Sequence, residues 1–531
     1  MRTIFYGGQV YTGTLPLCRA FAVENGLFLF AGGDEDALAL ARPGDRRVDL
    51  DGRFVCAGFN DSHMHLLSYG LALRRARLDQ HTDSLKGLIA YFRDFAAENG
   101  PNERGWIVGR GWNQDFFSDE ARMPDRHDLD AVSRERPVAA VRCCGHCTVV
   151  NSKAIELLGV TASTPAPEGG EIGVANGAPD GRFYDSAMNL IWAAVPGVEK
   201  DDVKDMIRAA CRRYNACGVT SCHADDYETP WRMVNEAYQE LKAAGELTVR
   251  VYEQCNFHDV ESLAEFIGEG HVTGEGDALF RTGPLKLVAD GALGARTALL
   301  SRPYADDPSV TGLALYSQEA LDALIGYAHA HGMQTAVHAI GDGCLDRVLN
   351  AVEKALTAHP RADHRHGVVH CQITRRDQLE RMARLKMHIY AQTIFLDYDS
   401  RIVRQRVGAL AETSYAWKTL MNMGLTVSNG TDCPVEQPDA LRGLQCAVTR
   451  APLAGGEVYL PGEAFTVREA LDSYTSAGAY ASFEERIKGR IEPGMLADFV
   501  VLERSPFETP PEAISRIPVC ETWLGGRKVY G

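Results

Sequence analysis

The chain has 531 residues, of which 45% are hydrophobic and 24% charged, and a formal net charge of −16. This length predicts one large domain with a smaller one. The acidic balance argues against a nucleic-acid-binding surface, which needs clustered Lys and Arg. The N-terminus has no apolar signal segment, and no run of about 18 apolar residues predicts a membrane helix. With its 14 cysteines read as reduced thiols, we expect a cytoplasmic protein with no membrane partner.

Short strand patterns lie at both ends of the chain. TIFYGGQVYTG predicts a hairpin around Gly7-Gly8, and AFAVENGLFLFAGG predicts another around Asn25-Gly26. Near the C-terminus, DFVVLERSP predicts a strand, and TWLGGRKVYG a strand pair around Gly525-Gly526. Because short strands need partners, we expect residues 1–53 and 486–531 to form one small β-sandwich domain. Two independent β appendages are the alternative.

The middle of the chain, residues 54–485, alternates strand and helix patterns, which is typical of an α/β fold with a parallel sheet. Eight strand–helix units predict a closed (β/α)8 TIM barrel. An open doubly wound sheet is the alternative, but no G-x-G-x-x-G follows the first strand. The predicted strands are Phe54–Phe59, Val219–His223, Thr248–Glu253, Leu285–Val288, Gln334–His338, Gly367–His370, Met387–Gln392 and Leu425–Asn429.

A long insertion separates the first two predicted barrel strands. The gap is about 155 residues, far more than one helix needs, so we place the insertion at about 75–200. Its middle, GGEIGVANGAPDGRFYD, is rich in Gly and Pro and is expected to be looped. Long insertions at the active face of a barrel often shape the substrate pocket.

The first chemical signal is the pair His63 and His65, which follows an apolar run and Asp61. Residues two apart in an extended chain point to the same face, so both imidazoles can bind one metal. His364 and His366 have the same spacing. They lie in a polar stretch before a strand, where a solvated loop is the preferred interpretation.

Four further side chains have the position that a barrel site requires. His338 and His370 each end an apolar run, where a barrel strand opens onto its catalytic face. Asp432 follows the last strand, where a carboxylate can bind a metal and move a proton, although a turn Asp is the alternative. Lys286 lies inside an apolar strand. A buried ammonium is costly, so this lysine needs a partner or a function.

Together these motifs resemble the amidohydrolase superfamily, in its amidohydrolase-3, YtcJ-like branch. The resemblance covers nearly the whole chain. It also includes the closing segment KGRIEPGMLADFVVLE. The other supporting segments are DGRFVCAGFNDSHMHL, RPVAAVRCCGHCTVVNSKA, KLVADGALGARTALL, AVHAIGDGCLD and VSNGTDCPVE.

The resemblance implies one or two divalent metals, zinc first, with manganese, iron or nickel as alternatives. In that superfamily the strand-four lysine is often carboxylated by carbon dioxide and bridges two metals, which implies a carbamate on Lys286. A carbamate would turn a cation into an anionic oxygen ligand. The implied ligands are His63, His65 and Asp432 for the more buried metal, and His338 and His370 for the second.

These features predict a metal-dependent hydrolase. Metal-activated hydroxide would attack an amide-like C–N bond, in an N-acyl compound, a formamide or a cyclic amide. Asp432 would accept the proton and pass it to the leaving nitrogen. The alternatives are deamination of a heterocycle and, less favoured, a non-catalytic regulatory protein on the same barrel. The partner is a small-molecule substrate, and a homodimer is the default assembly.

Substrate-binding candidates come from the insertion and from the loop after the lysine strand. Trp112 is a candidate, with core packing as the alternative. Arg142 and His146 belong to the RCCGHC segment, where a structural role is equally open and a structural zinc site is disfavoured by the cysteine spacing. Arg296 could hold a carboxylate or carbonyl of the substrate, or form an internal ion pair with Asp290.

Overall fold

The computed structural model describes residues 2–81, 83–120, 122–227 and 229–531. The chain forms two compact units. One contains Met1–Tyr69 and Ile207–Gly531, and the other contains Gly70–Met206. The second unit has nearly the bounds predicted for the insertion. The two chain ends belong to the same unit as the barrel, so a separate terminal domain stays a prediction.

The larger unit contains the predicted (β/α)8 barrel. Its parallel strands pair in chain order. The Asp432 N–H, just after the last strand, donates to the carbonyl of His63 in the first strand at 2.8 Å. Predicted strands two to eight are confirmed to within three residues at their ends, except that the fourth begins five residues earlier than predicted, at Phe280. Among the described residues, the barrel strands are Phe59–Met64, Val219–Ala224, Arg250–Asn256, Phe280–Val288, Thr335–Ala339, Gly367–His370, His388–Ala391 and Val427–Asn429.

The first barrel strand begins later than predicted. Phe54–Ala57 is a strand of another sheet, where it pairs antiparallel with Phe499–Leu502. The chain then passes Gly58 and enters the barrel at Phe59, next to Val219. The apolar run FVCAGF therefore serves two sheets, which a continuous hydrophobic pattern cannot reveal.

Strands from both chain ends pack on one aromatic core. Phe5 and Phe21 stack at 4.6 Å, and Phe499 and Trp523 stack at 5.3 Å. Phe5 also meets Trp523 edge to face, which joins the N-terminal and C-terminal strands. The strands of the two sheets are Arg2–Tyr6, Ala20–Glu24, Leu27–Gly32 and Arg46–Asp49, and Gln9–Val10, Phe54–Ala57, Phe499–Leu502, Val519–Leu524 and Arg527–Tyr530.

Two of the three predicted terminal hairpins are confirmed. Both use a two-residue turn with positive φ, at Asn25-Gly26 (54° and 80°) and at Gly525-Gly526 (54° and 73°). The hairpin around Gly7-Gly8 is wrong, because Arg2–Tyr6 and Gln9–Val10 belong to different sheets. There the glycine pair moves the chain from one sheet to the other.

The smaller unit is built on a mixed sheet rather than on loops. Its glycine-rich middle forms a hairpin of Gly170–Ala175 and Ala178–Asp185 with Gly177 at φ 73° in the turn. The expected loop is therefore wrong, because Asn-Gly is a hairpin turn and the flanking residues pair. In spatial order the strands are Gly170–Ala175, Ala178–Asp185, Cys147–Val150, Val138–Arg142, Ile107–Trp112 and Ala76–Arg77.

Helices follow most barrel strands, and polar side chains often begin them. Ser317 accepts the N–H of Ala320 at the start of Gln318–Ala330, which satisfies one free helix donor. Among the described helices, none combines the length and apolar character needed to cross a bilayer. The helices are Asp34–Ala39, Leu66–Arg74, Leu85–Asn99, Arg126–Asp130, Ser152–Leu158, Met188–Ala194, Lys200–Ala216, Trp231–Ala243, Val260–Gly268, Gln318–Ala330, Asp342–Ala358, Arg376–Leu385, Leu396–Asp399, Val403–Val407, Trp417–Asn422, Ala440–Thr449, Val467–Ser473 and Ser476–Ala481.

Candidate metal centre

A carboxylate and two imidazoles converge where the first and last barrel strands end. Asp432 Oδ1 lies 3.3 Å from His63 Nε2 and 3.2 Å from His65 Nε2. One ligand atom from each of the three residues lies within 4.8 Å of the others. Ligands bound at about 2.1 Å around a tetrahedral ion lie about 3.4 Å apart, so this spacing fits one shared cation.

The next two histidines of the prediction lie beside this group. The ring centroid of His370 is 5.7 Å from that of His63 and 4.4 Å from that of His338. Both rings stand at the carboxyl ends of their strands, as expected. The structure thus brings four histidines and Asp432 to one face of the barrel.

Each imidazole in this group has one nitrogen held by the protein. His63 Nδ1 lies 2.7 Å from Gln254 Oε1, and His370 Nδ1 lies 2.7 Å from Gln392 Oε1. A carboxamide oxygen only accepts, so each Nδ1 carries the proton and each Nε2 keeps its lone pair. His65 Nδ1 lies 3.2 Å from the carbonyl of Asp225, which likewise leaves Nε2 as the ligand atom.

His338 is held the other way round. Its Nε2 lies 3.2 Å from the carbonyl of Gly291 and 3.3 Å from Asp290 Oδ1. Its Nδ1 is therefore the nitrogen left for a metal. Asp290 also accepts the N–H groups of Ile340 and Gly341, so one carboxylate fixes both the ring and the loop after it.

Burial and charge prepare these groups to bind a cation. Burial lowers the pKa of His63 and, together with neighbouring His338, that of His370, so both imidazoles stay neutral. Burial alone would raise the pKa of Asp432, but contacts with His63 and His65 hold it well below its usual range. Burial alone would lower the pKa of His65, but Asp432 and the charge of Asp225 raise it to about 9. A metal would displace that proton.

Lys286 has the partner that its place inside an apolar strand required. It is buried, and its Nζ lies 3.1 Å from Oδ2 of the buried Asp225. Burial would raise the pKa of Asp225, but the Lys286 cation lowers it. The lysine is thus paired, and its charge also lowers the pKa of His63.

The loop that carries Asp432 is tied to the first strand. Asp61 accepts the N–H of Thr431 at 2.9 Å and also bonds the Thr431 hydroxyl. Burial raises the pKa of Asp61 to about 7. His370 and Asp432 both have positive φ, 73° and 56°, which is costly for these residue types and often seen at functional sites.

The substrate-binding candidates of the smaller unit have structural contacts within it. Trp112 is fully buried, and its Nε1–H donates to the carbonyl of Ala140 at 2.9 Å, in agreement with core packing. Arg142 lies 6.0 Å from the Trp112 ring and donates to Gln114 Oε1 at 2.9 Å. His146 is exposed and lies 2.9 Å from Asp185 Oδ1. A substrate role for these three stays a prediction.

Arg296 forms an ion pair, but with a different residue from the one expected. Its guanidinium donates to both carboxylate oxygens of Asp306, at 3.1 and 2.9 Å. The alternative pairing with Asp290 is wrong, because that carboxylate is used by backbone N–H groups beyond the strand. Arg406 shares Asp306, so a substrate role for Arg296 stays a prediction.

Sequence reasoning missed the residues that orient the ligands. Asp225, Gln254 and Gln392 lie on strands two, three and seven, or just past their ends. A polar residue inside or at the end of a buried strand was the available signal, and Gln254 in VYEQCN carries it. The partner of each could not be read, because it lies on another strand.

A barrel with imidazoles and a carboxylate converging at the carboxyl ends of its strands defines a metal-dependent hydrolase of the TIM-barrel type. Comparison with known proteins supports this class. The family model described as "Amidohydrolase family" matches residues 46–530. The chain belongs to this family, in its amidohydrolase-3 branch, as its motifs predicted.

Relatives and solved structures match over nearly full length. "Putative amidohydrolase YtcJ" of Bacillus subtilis is 34% identical, with 100% of this chain and 99% of the relative covered. "N-substituted formamide deformylase" of Arthrobacter pascens is 26% identical, covering 96% and 94%. The crystal structure of an uncharacterized metal-dependent hydrolase from Pyrococcus furiosus is 30% identical, with a TM-score of 0.78 and coverage of 96% and 100%.

Proposed function

We propose that the protein hydrolyses an amide-like C–N bond with a divalent metal, zinc first, held by His63, His65 and Asp432. The observation that carries the proposal is the distance from Asp432 Oδ1 to two imidazole nitrogens, 3.2 and 3.3 Å. His338 and His370 would hold a second ion. A divalent metal at such a site supplies Lewis-acid polarisation and acidifies water.

Asp432 is the group that would move the proton. The residue is 7% exposed, and its low pKa keeps the carboxylate ionised at neutral pH. An ionised carboxylate at the mouth can take a proton from water and give it to the departing nitrogen, which must be protonated to leave as an amine. The 3.2 Å contact with His65 and the tie between Asp61 and Thr431 hold this carboxylate in position.

Carboxylation of Lys286 is a separate part of the proposal. The lysine is buried near the end of strand four, where a carbamate would supply an anionic oxygen ligand. A carbamate would have to give up the ion pair with Asp225, so the metals must supply the compensating charge. Carbon-13-labelled carbon dioxide with metal-loaded protein tests this, because a carbamate gives its own NMR signal.

The deciding experiment is a screen with metal-loaded and chelator-treated protein. The substrates are N-substituted formamides, N-acetyl amines, cyclic amides and the nucleobases adenine and guanine. Formamides are included because a relative 26% identical is described as a formamide deformylase. We expect amine release from at least one amide, lost with chelator and restored by zinc or manganese.

Other outcomes separate the alternatives. Ammonia release from a nucleobase, with no amide cleaved, would assign the deaminase alternative. Failure to bind stoichiometric metal at all would contradict the metal centre itself. Light scattering on the same samples measures whether the chain is a homodimer.

A further inference from the structure

A cleft opens next to the metal ligands, on the barrel face where they converge. Its volume is about 220 Å³, and its lining includes Phe395 and Ile340. The Phe395 ring stacks on His370 with centroids 5.7 Å apart and 16° between planes. Ile340 and Gln372 each follow a ligand histidine by two residues. A substrate placed at the ligands would therefore extend into this cleft.

The cleft wall is mainly apolar. Phe395, Ile340, Leu293 and Val435 line it, together with Tyr398. Val435 and Tyr398 are exposed, at 67% and 59%, so the apolar surface continues to the rim. Such a wall gains free energy by covering a hydrocarbon group of the substrate.

The cleft offers several acceptor atoms. Asp399 and Glu436 contribute carboxylates, and Gln372 contributes a carboxamide. The Gln372 Nε2 donates to Asp399 Oδ2 at 3.3 Å, while its buried Oε1 has no donor within the described structure. Tyr415 also donates to Asp399 Oδ2, at 2.9 Å. The second oxygen of Asp399 is not part of either bond.

No cationic side chain offsets these carboxylates among the described residues that line the cleft. Burial raises the pKa of Glu436, and the charge of Arg442, whose guanidinium lies 3.7 Å from Asp397, partly opposes this. Burial raises the pKa of Asp399 to about 6, so the group is ionised at pH 8. An anionic substrate group would meet two carboxylates here, while Arg442 and Arg406 lie outside the described lining and contact Asp397 and the Gly294 carbonyl.

We propose that this cleft selects substrates whose group beside the scissile bond is apolar and carries a protonated amine, bound by Asp399 and Glu436. The inference rests on the proposed amide hydrolysis for its substrate, and it narrows that class. N-acyl amino acids with a free carboxylate are disfavoured, while amides of diamines are favoured.

The test uses N-formylbenzylamines that differ only at the para position, with aminomethyl, methyl or carboxylate. We expect kcat/KM for aminomethyl to exceed that for methyl by about 10- to 100-fold, the range of a charge-assisted hydrogen bond. The carboxylate compound should be the poorest. Equal or better turnover of the carboxylate compound would overturn the proposal.

Variants assign the effect to the cleft. Glu436→Gln and Asp399→Asn should each reduce the aminomethyl-to-methyl ratio by about tenfold or more. The matched control is Glu457→Gln, an exposed carboxylate outside the cleft lining, which should leave the ratio unchanged. A ratio that survives both cleft variants would overturn the assignment. Thermal unfolding verifies that each variant is folded.

A binding measurement separates this inference from the proposed function. Calorimetry compares 4-methylbenzylamine with the uncharged 4-methylbenzyl alcohol on the parent chain and on Asp399→Asn. We expect the amine to bind the parent chain about tenfold more tightly than the alcohol, and this difference to shrink in the variant. If no formamide is cleaved, the proposed hydrolysis fails, and the ranking of affinities still tests whether the cleft binds a protonated amine. If cleavage occurs without any ranking, only the cleft inference fails.

Discussion

Histidines gather at both ends of the same barrel, and the two groups differ in what their ring nitrogens contact. At the carboxyl ends, His63 and His370 each bond a glutamine with Nδ1 and turn Nε2 toward the ligand group. At the other end, His329 Nδ1 lies 2.8 Å from His366 Nε2, and His329 Nε2 lies 2.6 Å from the carbonyl of His359.

In the second group, His329, His364 and His366, every ring nitrogen has a hydrogen-bond partner among the described residues, so none is left to bind a metal. His366 Nδ1 accepts the N–H of Thr335 at 3.0 Å, and His364 uses both its nitrogens, on the N–H of His366 and on the carbonyl of Leu385. These rings join chain segments. The spacing of two residues is therefore shared by a metal pair and a structural pair, and the spare nitrogens distinguish them.

The largest effect is expected from the carboxylate at the mouth. Asp432→Asn removes a proton carrier and a ligand charge, so turnover should fall by about 10²- to 10⁴-fold. Metal content measured on the same sample separates lost ligation from lost proton transfer. Asp363→Asn, at the opposite end beside Arg365, is the matched control and should keep its turnover. Similar losses of turnover in both variants would contradict the assignment of catalysis to the carboxyl ends of the strands.

Exchanging one histidine at each end should separate metal binding from stability. His63→Asn should weaken metal affinity by about 100-fold or more, because one of few ligands is lost. His366→Asn should leave affinity unchanged but cost about 1–3 kcal/mol of unfolding free energy, because buried partners lose their bonds. Competition with a chromophoric chelator and urea unfolding measure the two. Weaker metal binding in His366→Asn would contradict this.

The glutamines that hold the ligand rings should have an intermediate effect. Gln392→Leu removes the acceptor for His370 Nδ1, and metal affinity should fall by about 10- to 100-fold. Gln334→Leu is the control, since its side chain bonds Arg365 and Tyr252 at the other end of the barrel. It should change stability and not affinity. An unchanged affinity in Gln392→Leu would mean that packing alone orients His370.

Much of the metal centre could be predicted, because its ligands follow strand ends that apolar runs mark. Lys286 was recognisable as an ionisable residue inside such a run. Asp225 was not recognisable as its partner, since contacts between strands depend on barrel closure. Gln254 and His63 are in direct contact, but they are 191 residues apart in the chain. The sequence could not link them, for the same reason.

Two wrong predictions arose because a local pattern does not show tertiary contacts. His364 and His366 lie in a polar stretch and were expected in a solvated loop, yet both are buried. Their ring nitrogens form hydrogen bonds with backbone groups, which allows these polar residues to be buried in the protein interior. The first strand was misplaced because Phe54–Ala57 is buried in another sheet. Local polarity reports exposure only where no tertiary contact satisfies the polar groups.

The last effect concerns pH and uses His388, at the same end as His366. His388 Nε2 lies 2.8 Å from Ser428 Oγ, and burial, with the charge of Arg365, lowers its pKa to about 3. The unfolded chain has a pKa near 6.5 for this group, so between about pH 6.5 and 3 it binds a proton that the folded protein excludes. Stability is therefore lost as pH falls through this window, by up to about 1.4 kcal/mol per pH unit.

Replacing this ring should flatten the acid limb of the stability curve. His388→Gln keeps a hydrogen-bonding group beside Ser428 and does not titrate. Urea midpoints between pH 7 and 4 should fall less steeply with decreasing pH than those of the parent chain. His331→Gln, an exposed ring near the same end, is the control and should keep the parent slope. Equal slopes for His388→Gln and the parent chain would show that His388 takes up its proton in the folded state. His388 would then not be a neutral structural ring, and the contrast with the cation-binding rings would not hold at this position.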